Sequence, residues 1–109
     1  MTESTVTRAD AHQRYEIVVD GLRAGLSSYV DDGAQRIFYH TEVSDDFTGQ
    51  GLASKLTAVA LAATRDAGKR IVAVCPLVAA YLDKHDEFDD VADPVTPQAQ
   101  SLARQAAGG

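Results

Sequence analysis

The stretch that decides the fold reads His40-Thr41-Glu42-Val43, then an acidic loop, then Phe47-Thr48-Gly49-Gln50-Gly51-Leu52-Ala53. A β-type alternation ends at Val43, and helical spacing begins at Gln50. Two glycines stand at the junction. Glycine lets the chain bend tightly and removes side chains that would obstruct a bulky ligand. A helix opened in this way turns unpaired N–H groups, and the positive end of its dipole, towards anything anionic. Gly51, Leu52 and Ala53 can aim such groups outward. On spacing alone the same residues also fit a plain turn before a helix. No Gly-Lys-Ser/Thr follows, so this is not a phosphate loop. A third glycine and flanking parallel strands, which a dinucleotide site needs, are missing too.

Upstream, the pattern has the two-residue period of strands. Tyr15, Ile17 and Val19 share one face, and Asp20-Gly21 is a hairpin signal. Leu22, Ala24, Leu26, Ser28 and Val30 give a second strand, in which Gly25 marks a bulge or a close backbone approach. Asp31-Asp32-Gly33 turns the chain again. Gln35 to Val43 forms a third strand, with Ile37, Tyr39, Thr41 and Val43 on one face and Phe38, His40 and Glu42 on the other. These three strands predict an antiparallel meander.

Downstream, Leu52, Leu56, Val59, Ala60, Ala63 and Ala67 follow helical spacing to Ala67, and Gly68 suits a C-terminal cap. Ile71 to Cys75 is a continuous apolar run, as expected of a buried strand parallel to its predecessor and reached by a right-handed crossover. Pro76 opens a short helix from Leu77 to Lys84. The fold expected is α/β (α+β): an antiparallel meander, one crossover helix, a parallel strand and a short closing helix. Residues 12–91 would form the domain. Residues 1–11 lack apolar periodicity and read as a frayed arm. Residues 92–109 contain Pro94 and Pro97 and a weak helical stretch from Gln98 to Ala107, and read as an appended tail.

Composition narrows the function. The chain has 109 residues, one cysteine and a net charge of −6. That charge disfavours non-specific nucleic-acid binding, which needs basic surface. A single cysteine cannot form an internal disulfide and suits a reducing compartment. No apolar run approaches the roughly 20 residues of a membrane span. The polar segment Met1–Asp10 lacks the apolar core of a signal peptide, so cytoplasm is the expected address. Asp83, Asp86, Glu87, Asp89, Asp90 and Asp93 crowd together. They read as a solvated acidic loop, or more sharply as a surface attracting a cationic amine.

Three motifs, taken in order and at matching spacing, resemble one family. They are His40-Thr41-Glu42-Val43, Gly49-Gln50-Gly51-Leu52-Ala53-Ser54-Lys55-Leu56, and the run from Cys75-Pro76 through Tyr81 to His85. Together they look like the minimal GNAT-like acetyltransferases, single-domain proteins with a shortened GNAT N-acetyltransferase fold. The resemblance covers roughly Tyr15 to Val91. It implies that acetyl-CoA binds at the helix start. The superfamily's pyrophosphate motif, Arg/Gln-x-x-Gly-x-Gly/Ala, maps onto Thr48, Gly49, Gln50, Gly51, Leu52 and Ala53. The pantetheine arm would lie near Val43, where the third strand splays from the one ending at Cys75. Thr48 departs from the pattern: its hydroxyl can donate a hydrogen bond but carries no charge.

The same resemblance places a cysteine, here Cys75, near the acetyl group. Cys75 could accept the acetyl as a thioester, or only shape the site while an amine attacks directly. Read from the residues alone it fits an inert buried thiol, the commoner state of a buried cysteine. Direct attack needs a base, and Glu42 and His40 share the face of the strand leading to the cofactor. Each could instead have a structural role. Tyr81 is expected to pack its helix and His85 to end it. The expected function is N-acetyltransfer from acetyl-CoA to a primary amine of a small molecule or protein, without a metal, by a monomer or weak dimer. A non-catalytic acyl-CoA-binding or sensing module is the alternative, and a plain interaction domain a third.

Overall fold

Residues 14–19 alternate inward and outward without a break, and Tyr15, Ile17 and Val19 are all buried. That alternation seeds the sheet. The computed structural model describes residues 4–47 and 51–108. Strand β1 spans Ser4–Ala9, β2 Arg14–Val19, β3 Leu22–Asp32 and β4 Gln35–Val43. Helix α1 follows at Leu52–Asp66, then β5 at Arg70–Ala73, α2 at Pro76–Lys84, β6 at Ala92–Asp93 and α3 at Pro97–Ala106. The six strands lie in sequence order. Those from β1 to β4 pair antiparallel, and β4–β5 and β5–β6 pair parallel. The meander, the crossover helix, the parallel strand and the closing helix are all present. Among the described residues no helix is long and apolar enough to cross a membrane.

The turn at Asp20-Gly21 has positive φ at both residues, 52° and 82°, as a two-residue hairpin demands. Helix α1 covers one face of the sheet. It buries Leu52, Leu56, Ala60 and Leu61 against Tyr15, Ile17, Phe38 and Ile71. Each buried leucine stabilises the fold by roughly 1.5–3 kcal/mol. Gly68, at φ 76°, ends the helix: its N–H bonds to the Arg65 carbonyl at 2.9 Å.

Two expectations need correction. Ser4–Ala9 is a strand, paired with β2 from Ser4–Val19 to Ala9–Arg14. Its ladder is backbone, and only Val6 joins the core, so apolar periodicity could not reveal it. Lys55 on α1 fixes its start, with Nζ donating to the Ser4 carbonyl at 2.8 Å and hydroxyl at 2.6 Å. The tail is likewise built in. The Thr96 hydroxyl caps α3 by accepting from the Ala99 N–H at 3.1 Å, with Pro97 at the first turn. Ala99 and Ala103 are buried against Ile37 and Val72 on the sheet face that α1 does not cover. A face carrying Ile37 and Val72 has to be covered, and small alanines let the helix lie close.

Candidate active site

The ladder between β4 and β5 runs from Gln35–Arg70 to Phe38–Ala73 and stops. The Phe38 carbonyl closes it by accepting from both Val74 N–H at 3.0 Å and Cys75 N–H at 2.9 Å. Local sequence explains the stop. Cys75 is already the N-cap of α2, Pro76 occupies its first turn, and the Cys75 carbonyl accepts from Ala79 at 3.0 Å. The chain therefore leaves the sheet while β4 continues to Val43. The two segments part, and a gap opens beside Tyr39–Val43. The strand was expected to reach Cys75; it ends at Ala73, and Cys75 lies one step beyond, at the gap.

A bulge then re-aims β4. Ser28 is opposite His40 and Tyr29 opposite Phe38, leaving Tyr39 unmatched. The strict alternation expected across Gln35–Val43 breaks at this point. Ile37 and Tyr39 pack on the α3 side. Thr41 and Val43 turn to the α1 side, where Val43 joins the core that includes Leu52 and Cys75. Ile37, Tyr39, Thr41 and Val43 thus do not share one face.

The bulge separates the catalytic candidates. Cys75 is 3% exposed, and its Sγ lies 3.6 Å from Thr41 Oγ1, which in turn is 2.9 Å from Ser27 Oγ. The thiol looks across the gap from the α1 side. His40 Nε2 and Glu42 Oε1 are 3.4 Å apart, both more than half exposed, on the opposite side of the strand. The expected shared face of His40 and Glu42 is present. Cys75 is not on it. Gly25 makes this geometry possible: a Cβ there would lie 2.6 Å from the Glu42 carbonyl oxygen. Close backbone approach, one of the two expectations for Gly25, is therefore met. The pairing of β2 with β3 also shifts register next to it.

At the head of α1, Gly51 is the N-cap with φ 69° and ψ 20°, a left-handed conformation suited to glycine. Among the described residues no side chain caps the helix there, and none stands within 4 Å of where a Gly51 Cβ would be. The first N–H groups of an α-helix have no partner within it, so those of Leu52 and Ala53 are not used inside α1. Thr48, Gly49 and Gln50, named above for the same cradle, lie outside the described residues.

A cleft of about 190 Å³ adjoins this helix start, between Ala53 and Ser54 on α1 and Leu77, Tyr81 and Lys84 on α2, with His85 just past its end. His85 stacks on Tyr81 with ring centroids 4.1 Å apart, and its N–H bonds to the Tyr81 carbonyl, ending α2 as expected. Burial, and then the nearby Glu87, raise the Tyr81 hydroxyl above its ordinary pKa, so it stays a neutral donor. The contribution of Lys84 is new. Its signal was spacing, because Leu77, Tyr81 and Lys84 recur at helical intervals and share one side of α2. The acidic stretch begins beside this cleft, with Asp83 on α2 and Glu87 near Tyr81. Phe88 within it packs beneath Arg65 in the last turn of α1, at 5.3 Å. Asp93 binds Gln35 and Arg70 at the far end of the β4–β5 ladder, at 2.8 and 2.7 Å.

A sheet that splays beside an uncapped, glycine-opened helix is an arrangement that can be compared with known proteins. The family model described as "GCN5-related N-acetyl-transferase" matches residues 14–91. The chain belongs to the GCN5-related N-acetyltransferase family. Among solved structures, it is similar to the solution structure of a GCN5-like protein from Staphylococcus aureus. The TM-score is 0.64 at 23% identity, over 85% of this chain and 91% of that one. At that identity the likeness speaks for the fold. No curated protein matches the chain. The family match thus covers β2 to the turn after α2, while β1 and α3 lie outside the matched residues.

Proposed function

We propose that this chain binds acetyl-CoA at the start of α1 and transfers the acetyl group to a primary amine. One observation carries the reading: β4 outruns its ladder with β5, and Val43 and Cys75, on the two segments that part, share one core cluster with Leu52 at the start of α1. The donor set fits the ligand. Leu52 and Ala53 offer N–H groups and a helix dipole to a pyrophosphate, and the open space at Gly51 leaves room for it. Lys84, in the adjoining cleft, adds a positive charge for a further phosphate. When bound, acetyl-CoA supplies an activated acetyl carbonyl, to which the amine nitrogen bonds as the carbon–sulfur bond breaks and the sulfur leaves as a thiol.

In this reading Glu42 and His40 take the proton that the amine must lose, which their solvent-reaching side chains beside the gap support. Cys75 is assigned a shaping role. Its thiol is buried and engaged with Thr41, which favours direct transfer over a thioester on the protein. Cys75→Ser retains most activity under this reading.

The test is a thermal shift. Acetyl-CoA is expected to raise the Tm of the wild type and of Gly51→Asn, because asparagine tolerates a left-handed backbone. Gly51→Asp has nearly the same shape but adds negative charge at the phosphates, and is expected to lose the shift. An equal shift in both variants would remove the cradle. Release of CoA thiol on adding amines then separates an enzyme from an acyl-CoA-binding module without turnover.

A further inference from the structure

Helix α3 lies beyond the residues that match the family, yet it closes one side of a cleft at the gap itself. The cleft opens on the sheet face opposite α1. One part, about 330 Å³, lies between Tyr39 and Val74 on the parting strands and Gln100 and Arg104 on α3. An adjoining part, about 450 Å³, lies between His40 and the end of α3 at Ala106 and Ala107. Volumes of this size suit a small ligand. Val74 and Cys75 donate the last hydrogen bonds before the strands separate, so the cleft, lined by Val74, sits on the mouth of the gap.

Its polar groups have two signs. At one end the cleft is lined by His40, which has Glu42 3.4 Å away outside the lining, and the C-terminal end of α3, with its partial negative charge, faces the same part. Arg104 stands one turn back on α3, exposed and without an ion-pair partner among the described residues. Gln100, one turn earlier still, lines the same wall and offers an amide.

We propose that α3 forms the wall of the acceptor site and that Arg104 selects an amine that also carries a carboxylate, as a free amino acid or dipeptide does. The proposal rests on the acetyl-transfer reading for its chemistry. The amine end would lie by His40 and Glu42, next to the gap, and the carboxylate by the guanidinium, whose fork of N–H donors matches it. A polyamine would bring a second positive charge to Arg104 and be disfavoured.

The experiment reads acceptor binding without turnover. Isotope-labelled protein is titrated with the dipeptide Ala-Ala, with its C-terminal amide, and with putrescine, following backbone amide resonances. Ala-Ala is expected to shift Tyr39, His40, Val74, Gln100 and Arg104, and its amide to need about tenfold more for the same shift. Arg104→Gln is expected to abolish that preference and Arg104→Lys to keep part of it, while both retain the wild-type Tm shift with acetyl-CoA. The proposal fails if putrescine or the amide binds as well as Ala-Ala. It also fails if Ala-Ala shifts none of these residues or if Arg104→Gln keeps the preference. Loss of the acetyl-CoA shift in the wild type would instead strike the cofactor site, leaving the dipeptide titration to stand on its own.

Discussion

Strand β4 is paired on both edges from Gln35 to Phe38 and, past the unmatched Tyr39, on the β3 edge alone from His40 to Val43. In the first half every side chain is engaged. Gln35 holds Asp93, and Ile37 and Phe38 are fully buried. Arg36 is almost as deeply buried. Burial works against its charge, but the bidentate bond to Asp31 at 2.8 and 3.1 Å, with Tyr15 and Tyr29 close by, raises its pKa above the ordinary value. Its guanidinium also donates to the Tyr15 hydroxyl at 2.7 Å and lies 4.2 Å over the Tyr29 ring. In the second half His40 and Glu42 meet solvent, and Tyr39 and Thr41 face a cleft and a gap. One strand thus supplies an anchor and a tool. The difference teaches that a small domain can leave polar groups unpacked at a site only where the adjoining turns of the same strand are over-determined.

The largest effect should come from the anchor. Phe38→Ala removes a fully buried ring that packs with Tyr15 and Tyr29. It is expected to cost about 3–5 kcal/mol and to lower Tm by more than about 10 °C. His40→Ala and Glu42→Ala are expected to change stability by no more than about 0.5 kcal/mol. Each should nonetheless slow acetyl transfer by about a hundredfold. Denaturant unfolding and CoA release, measured on the same three variants, check this. A Glu42→Ala protein as unstable as Phe38→Ala, or one with full activity, would break the division between the halves.

Gly25 probes the boundary, because it presses on the open half from β3. Gly25→Ala would force the Glu42 carbonyl to move, since the new Cβ would stand 2.6 Å from it. The expected cost is about 1–3 kcal/mol, in line with overpacking elsewhere. Activity at a temperature where the variant remains folded should fall as well, because Glu42 and the bulge shift together. Wild-type activity in a folded Gly25→Ala protein would show that the close approach serves packing only.

Much of this was legible in the residues, and the failures have physical causes. The meander, α1 and the parallel strand follow from periodicity, and Gly25 and Gly51 from what only glycine does. β1 was hidden because an edge strand held by backbone bonds needs few apolar residues. α3 was hidden because Ala99 and Ala103 are small, and a stripe of alanines looks like mere helix propensity. The separation of Cys75 from His40 and Glu42 turns on one extra residue, Tyr39. A bulge leaves no reliable mark in a strand of bulky residues, so counting by twos put Tyr39, Thr41 and Val43 on one face. The nearness of Lys84 to the head of α1 required the packing of two helices that sequence alone leaves apart.

The smallest predicted effect sharpens the comparison furthest. Asp93 joins β4, β5 and β6 at the closed end, through Gln35 and Arg70. Those two hydrogen bonds hold its carboxyl below the ordinary value of 3.8, although burial pushes the other way. A depressed folded pKa means that the stabilisation is complete above the unfolded value and is lost as pH falls through the lower, folded one. Asp93→Asn is therefore expected to be less stable than wild type near neutral pH, by about 0.5–1 kcal/mol for a partly exposed pair. The two Tm curves should converge below about pH 4, where the wild-type carboxylate takes up its proton. Other carboxylates titrate in both proteins and cancel in the difference. If the halves of β4 are independent, the same variant keeps the wild-type KM for acetyl-CoA, because the clamp holds the end of the ladder away from the gap. A raised KM would mean that the closed end sets the width of the open one, and that the anchor and the tool are a single mechanical unit.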